Sequence, residues 1–501
     1  MHRLFRALFG RKMAFSIIAL ITLIALFYAV ENFRGARQWK NYRKEAEARG
    51  LKLDFAAHIP PPIPDEENGA NTPWITSWFP KSVPYDKDKF WPPLRTDADM
   101  CIKSRKPDGR RHLTDFVAYK QAFELVATDP DKKSKEKIST HERDAAERTA
   151  AAAAVLEALK IYEPTLNELR TASAKTRVRY PVEYKTDEPF SILLPHLAKI
   201  KSVIQLLSLR ANAALALGKS EEALKDVQLM LWFTESMRDE PFLINHLVRI
   251  ACLQITAHTI WEGLAQHQWN DGQLRTLETQ LATIDFLGSI QRAMNAERAG
   301  GVATIEWVRK NGRFSFLMDS EGGASSVGGP DLLIRVLPRG WIRMEEVNYC
   351  RVLDDNLAGV VDLDRRVVDP QRLAANNAQL KEVFRMGPHQ LFRHRMFASM
   401  LLPAMQDMSR KFAVAQNMAD EAAVACALER YRLANGKLPE SLDALPPKFI
   451  AKVPHDVLSG APLKYERVSD TEFVLSSVGW PESEKAGQKS KRIEWIWRSA
   501  P

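Results

Sequence analysis

The chain has 501 residues, 45% apolar and 27% charged, a globular composition that excludes wholesale disorder and a collagen-like fibre. Four cysteines exclude a disulfide scaffold and a dense zinc array. The net charge of +9 is uneven: residues 1–50 hold ten Lys/Arg against three Glu, and the rest hold 61 basic and 59 acidic groups. The basic excess therefore lies outside the body of the chain, where a nucleic-acid binder would need it, and no nucleic-acid partner is expected.

Residues 1–12 are a basic N-terminal flank, with Arg3, Arg6, Arg11 and Lys12 and no acid. Met13 to Val30 follows as 18 residues without a charge. As a helix that run spans ~27 Å, close to the hydrocarbon thickness of a bilayer. Ser16 and Thr22 can bond back to carbonyls one turn earlier, and Tyr28 stands where an interfacial aromatic is favoured. The run is longer than a typical cleavable signal core, and no small-x-small site follows it. Residues 13–30 therefore read as an uncleaved transmembrane signal-anchor in contact with membrane lipid. Basic residues also follow the run, from Arg34 to Arg49, but the acid-free N-terminal flank favours N-inside with the bulk exported.

Residues 31–57 read as a juxtamembrane helical stalk that ends its helix at Gly50. Residues 58–112 read as a Pro/aromatic-rich extended segment, since nine prolines fall between 58 and 93 and each fixes φ and removes a donor. Trp74, Trp78, Phe79, Phe90 and Trp91 interleave with those prolines, so the segment is expected to pack along a domain surface.

Residues 113–389 read as an α-helical domain. Leu113 to about Thr171 is helical, with the charged stretch Asp129–Arg148 as a solvated face, and 177–184 is an extended linker. Leu197, Ile200, Ile204, Leu207, Ala211 and Ala214 then recur at spacings of three and four, which puts them on one helix face that Gly218 ends. Ser220, Glu221 and Glu222 open a second helix with Ala223, Val227, Met230 and Leu231 inward. A third follows Pro241, through Leu243, Leu247, Ile250, Gln254, His258, Trp261 and Leu264. A fourth starts near Asp271, with Leu274, Leu277, Leu281 and Ile284 as its stripe. Short turns between such helices make a bundle or a short α-solenoid. The piece at 210–227 is similar to a tetratricopeptide-type helix pair, without a clear copy 34 residues away in either direction. GGASSVGGP at 322–330 is a loop without the GK[ST] ending of a phosphate-binding loop. Residues 390–436 read as one long amphipathic helix through Phe397, Leu401, Met405, Met408, Phe412, Ala415, Ala422 and Cys426, ended by Gly436.

Residues 437–501 change period. A short helix and a proline-bounded loop precede LKYERV and EFVLSSV, two alternating strands with a turn at Ser469-Asp470. Ala427 to Tyr431, Gly436, Pro439, Leu442, Leu445, Val453-Pro454, Asp456, Gly460, Pro462, Tyr465, Leu475-Ser476 and Gly479 together resemble the head of a type II secretion major pseudopilin. That resemblance implies a small α/β module. A pilin leader would put a Glu five residues after its cleavage glycine, whereas Gly10 here is followed by Arg11-Lys12 and Phe15 holds that position, so pilus assembly is not expected. The calcium loop of that family reads Trp480-Pro481-Glu482-Ser483-Glu484 here, without an Asp, and no calcium is expected. Arg34 to Tyr42, Pro60 to Asn68, Leu209 to Ile255 and Ala425 to Gly436 also resemble a family of uncharacterised bacterial membrane-anchored envelope proteins. This resemblance implies an architecture and a bacterial inner membrane setting, with the bulk of the chain periplasmic, but no activity.

No residues stand out as catalytic, and neither a metal nor another cofactor is expected. His389 and His394 are five apart, ~140° around a helix, which is wrong for one metal. HExxH and GxSxG are absent, and Cys101, Cys252, Cys350 and Cys426 form no CxxC. His246 and His258 read as structural, Cys252 and Cys426 as buried thiols, and Met396, Met400, Met405 and Met408 as core filler. Trp261, Trp269 and Trp307 read as core or groove aromatics. Glu262 and Glu297 lie in helical segments and could form a paired-carboxylate site only if the fold brought them together. The expectation is a mainly α, single-pass membrane protein. It has a helical bundle and a small C-terminal α/β module, and it acts as a non-catalytic interaction or scaffold component with a protein partner. The alternative is an envelope hydrolase with a site assembled from distant residues.

Overall fold

The computed structural model describes residues 2–79, 99, 102, 111–128, 138–139, 144–313, 329–385, 387–405, 407–481, 492–493 and 496–499. Phe90, Trp91, Cys101, most of the charged stretch after Asp129, residues 322–328 of the glycine-rich loop and Glu482 to Glu484 lie outside these. The chain is mainly α-helical, with a small antiparallel sheet at its C-terminal end.

The first helix, α1, runs His2–Ala48 as one piece. Its Lys12–Ala48 part is long and apolar enough to cross a membrane: an 18-residue window has mean hydropathy 2.5, and none of it is buried in the fold. Apolar side chains left in the open, such as Phe15 at 76% exposure, need a non-aqueous neighbour. The stretch read as a stalk does not stand clear of the domain. It packs lengthwise against α11 (Arg339–Leu357), and Tyr42 and Ala46 are buried there.

Residues 55–79 wrap one side of the bundle. Pro60 to Pro64 run without helix or turn, but the rest of the segment is mostly turns, and Thr72 caps a single helical turn, Pro73–Thr76, by accepting from the Ile75 N–H at 3.2 Å. That turn buries Trp74 against Trp78 edge-to-face, with ring centroids 4.8 Å apart. The helices α2 (Phe116–Thr128), α3 (Ala145–Ala158) and α4 (Glu163–Ser173) share this core. So do Tyr180, Val182 and Tyr184, which makes 177–184 a strap seated on the domain.

The next five helices are α5 (Pro195–Ala216), α6 (Ser220–Ser236), α7 (Leu243–Ala265), α8 (Asp271–Ala282) and α9 (Phe286–Asn311). Their ends follow local chemistry. Gly218 turns with φ of +71° after α5, and Asn270 with Gln273 forms a capping box on α8. Asp226 on α6 is fully buried because Arg170 and Arg210 both bond it, which ties α4, α5 and α6 together. After α10 (Gly329–Val336) and α11 come β1 (Val361–Asp362), β2 (Val367–Val368) and α12 (Pro370–Phe384).

The long amphipathic helix expected over 390–436 is interrupted. Pro388–Phe392 and Met396–Leu401 are separate short helices, a turn spans Pro403–Met405, and α13 runs Met408–Asn435. Pro403 supplies the reason for the break after Leu401, since its ring clashes with the carbonyl four residues back and it lacks an N–H, whereas the earlier break falls at His394, with φ of +52°. Along α13 the side chains of Phe412, Ala415, Ala419, Ala422, Cys426 and Leu428 are fully buried against α7, α8 and α9, so this helix is the axis of the larger core. Gly436 ends it with φ of +77°.

Beyond α13, β3 (Lys464–Arg467) pairs antiparallel with β4 (Phe473–Ser476), Tyr465 opposite Leu475. The strands β5 (Trp480–Pro481) and β6 (Arg492–Ile493) form a separate two-stranded pair. A third strand on the first sheet, β7 (Ile496–Arg498), pairs with β4. Its Trp497 is fully buried under the Arg111 guanidinium, 3.9 Å from the ring centroid, and the Arg498 carbonyl accepts from Trp261 Nε1 at 2.7 Å. The C-terminal sheet is thereby fixed to α7.

Candidate functional site

Glu188 organises an apolar cleft. Thr304 Oγ1 donates to its carboxylate at 2.6 Å and the Phe190 N–H donates to the same oxygen at 3.1 Å, so the turn Pro189–Ser191 is held against α9. Phe190 lies over Gly300, where a Cβ would come to 3.0 Å of its ring. The neighbouring Gly301 admits Tyr349 on the other side, with 2.3 Å to the place a Cβ would occupy. Two glycines in the middle of α9 therefore let aromatic rings close in from both sides. Phe190, Ile192 and Leu194 form one wall, Phe242 and Leu247 another, and Leu401, Met405 and Met408 the third; the cleft encloses about 340 Å³.

Among the described residues, one ionisable group lines this space. Glu297 accepts from the Leu243 N–H at 2.8 Å, capping α7 from a distant helix. Burial pushes its carboxyl up to about 7, and that single backbone bond only partly offsets the rise. Every other residue lining the cleft is Pro, Phe, Ile, Leu or Met. The site can bury apolar groups and offer one hydrogen bond, but among the described residues that line it no nucleophile, histidine or second acid stands beside Glu297.

Glu262 and Glu297 are not a pair. Glu297 caps the start of α7, whereas Glu262 sits near its end, 19 residues or ~28 Å away along the helix. Glu262 accepts from Thr114 N–H at 2.6 Å, Thr114 Oγ1 at 2.8 Å and Arg148 at 3.0 Å; burial raises its pKa against these bonds. A carboxyl pair that the sequence did not flag is Glu306 with Glu346, between α9 and α11. Burial pushes Glu346 up to about 8, while for Glu306 the bonds from Arg309 and the charge of Arg343 outweigh burial and hold it below the ordinary range. Arg309 at 2.6 Å and Arg343 at 2.8 Å occupy their oxygens, so the pair is a buried ion network.

Other buried carboxyls are also taken up by the fold. Glu345 accepts from the Met396 and Phe397 N–H groups at 3.1 and 3.0 Å, and burial pushes it up to about 8. Glu240 accepts from Tyr184 at 2.7 Å and Asn245 at 2.8 Å, and burial pushes it up to about 7. The histidines are packed against rings: His196 between Phe79 and Tyr180, His246 on Phe412, His258 on Trp261. Burial lowers their pKa values to about 3, 3 and 4, so each stays neutral. Cys252, Cys350 and Cys426 are buried free thiols. Trp261 and Trp269 are buried, and Trp307 lines a depression of about 230 Å³. Among the described residues, no group of three His, Cys, Asp or Glu is arranged to hold a metal ion.

Two other depressions are charged. One of about 480 Å³ lies between residues 57–63 and the end of α6, where Asp239 pairs with Arg238 and Arg292. The other, about 610 Å³, holds the Glu163, Arg170 and Arg210 network. Charges line both spaces, and among them Asp239 is paired with Arg238 and Arg292 in the first, and Glu163 with Arg170 and Arg210 in the second.

The second organised feature is the crossing of α1 with α11. Gly35 and Gly340 meet backbone to backbone: a Cβ on either would fall 2.1 or 2.0 Å from the other helix's carbonyl oxygen. Asn32 Oδ1 accepts from the Gly340 N–H at 2.8 Å, and buried Glu31 accepts from Trp341 Nε1 at 3.1 Å and from Arg34 at 2.6 Å. Further along, Asp354 accepts from Tyr42 at 3.1 Å, Arg49 at 2.8 Å and Arg298 at 2.7 Å. The membrane-length helix is therefore locked into the domain by its own continuation.

Comparison of the chain with family models, with curated proteins and with solved structures returns no match.

Proposed function

We propose that the chain is a single-pass protein of the bacterial inner membrane, anchored by residues 13–30 with its bulk periplasmic. Its helical domain is a non-catalytic binding module for a protein partner. The cleft carries this reading. It offers ring, aliphatic and methionine surfaces around one carboxyl poised near neutrality, which suits apolar side chains of a partner with one hydrogen-bonding group among them. Leu193 and Ile244 leave 71% and 47% of their surface open at or beside its rim. The resemblance of residues 427–479 to a pseudopilin head supports a setting in a secretion or cell-surface apparatus. The helix pair at 210–227 supports an interaction role. The envelope-hydrolase alternative would need a second ionisable group beside Glu297.

A photoreactive residue at Leu194 in full-length protein, in its native membrane, tests the proposal. A discrete heavier adduct is expected, and Ile244→Asp should abolish it while leaving the thermal midpoint within a few degrees of wild type. Adducts confined to the chain itself, or an adduct indifferent to Ile244→Asp, would overturn the binding role.

A further inference from the structure

An exposed apolar patch surrounds α1 where its apolar run meets the domain. On α10, Leu332, Leu333 and Val336 lie on one face and are 64%, 43% and 56% exposed, while Asp331 and Ile334 on the other face are buried. Soluble surfaces seldom leave such a face open. Its position is fixed by contacts with the span. Tyr28 Oη donates to the Val336 carbonyl, and Phe27 meets Trp341 edge-on with centroids 6.0 Å apart. Trp341 in turn meets Phe392, which is 70% exposed, at 6.2 Å. Residues 27 and 28 are two or three residues from the end of the 18-residue apolar run, so this ring of side chains sits within ~5 Å of the hydrocarbon boundary.

The chemistry around the patch matches that depth. Tyr28 and Trp341 are the amphipathic aromatics favoured at headgroup level. Among the described residues, the exposed charges beside it are basic: Arg335 on α10, Arg339 before Trp341 and Arg393 after Phe392, while Arg34, one turn beyond the run, is paired with Glu31. Among the described residues, the acids in the same neighbourhood, Glu31 and Asp331, are buried.

We infer that α10 and Phe392 form a second membrane contact, lying in the interface of the leaflet from which α1 emerges, with anionic phospholipid headgroups as partners of the arginines. The occupant is lipid because the patch is continuous with the face of α1 that lipid covers. This rests on the reading that residues 13–30 span a bilayer. Its consequence is orientation: span and in-plane helix together hold the domain at one tilt, so that it does not swing on a tether.

The test uses full-length protein in phosphatidylcholine–phosphatidylglycerol vesicles. An environment-sensitive fluorescent amino acid is placed, one at a time, at Leu332, Phe392, Leu20 and Leu193. The expected result is blue-shifted emission at 332 and 392, quenched by lipid brominated near the headgroup end of its acyl chains. Position 20 should be quenched by deeper bromines, and position 193 should stay aqueous. Aqueous emission at 332 and 392 with a buried signal at 20 would overturn the second contact and leave the span standing. Blue-shifted but unquenched emission at 332 would overturn it in favour of a protein cover. Aqueous emission at 20 would bring down the span itself.

Discussion

Replacing Gly35 by Ala sets two physical effects against each other with opposite signs. Gly35 is interior to a 47-residue helix, where alanine is favoured over glycine by about 1 kcal/mol. The crossing opposes this gain. A Cβ at 35 would lie 2.1 Å from the Gly340 carbonyl oxygen, and real Cβ atoms do not approach below 3.0 Å, so α1 and α11 must part by roughly 1 Å. The obstacle is backbone, which no rotamer change relieves. A gap of that size forfeits about a quarter to a half of the dispersion energy across the contact. It also stretches the 2.8 Å bond from Gly340 to Asn32 and the 3.1 Å bond from Trp341 to Glu31 beyond useful range, at about 1 kcal/mol each. The balance is destabilisation by about 2 kcal/mol, within the range for overpacking. Thermal unfolding of the full chain in detergent should show a midpoint a few degrees lower. Gly35→Ala with Gly340→Ala should cost less than the sum of the two, because both open one crossing. A Gly35→Ala variant as stable as wild type, or more so, would refute the docked crossing, since helix propensity alone gives that result.

Three further outcomes follow from the buried charges. Because burial raises Glu297 to about 7 in the fold, its neutral form contributes stability that is complete below the ordinary carboxyl pKa of 4.5 and is lost as pH rises through 7. Glu297→Gln keeps the bond to Leu243, so it should match wild type near pH 5 and exceed it at pH 8 by on the order of 2 kcal/mol in denaturant unfolding; identical pH slopes would refute the assignment. Asp226→Ala leaves Arg170 and Arg210 with Glu163 as their remaining close carboxylate and should cost about 1–3 kcal/mol in the same assay, whereas no change would contradict the network. Asp354→Ala releases Tyr42, Arg49 and Arg298 together; it should raise tryptic cleavage at Arg43 and Arg49 several-fold, and unchanged cleavage would show that the end of α1 is held some other way.

Periodicity made some elements readable in advance. The helices α5 to α8 show their inner faces as apolar residues three and four apart, and Gly218 and Gly436 mark ends because their left-handed φ is local chemistry. The strands around Tyr465 and Leu475 show alternation. What escaped was non-local. β7 joins the sheet by pairing with β4, and its Arg498 carbonyl is held by Trp261, far away in the chain. Glu297 and Glu345 cap helices that lie elsewhere in the sequence, so their carboxyls look like any others until the fold is known. The split at Pro403 was written in the sequence, but the apolar pattern running through it masked the break. For the cleft, the adjacent Gly300 and Gly301 inside α9 were the available signal, since glycine mid-helix marks a place where something comes close. Phe190 and Phe242 carried no such mark.

Washing membranes that carry the full-length chain with alkaline carbonate tests the central claim most directly, because it strips peripheral proteins and leaves spanning ones. Residues 13–30 in lipid predict intact protein in the pellet, released by detergent alone. Intact protein in the carbonate supernatant would contradict the claim and remove the basis for the docked anchor and for the membrane contact of α10.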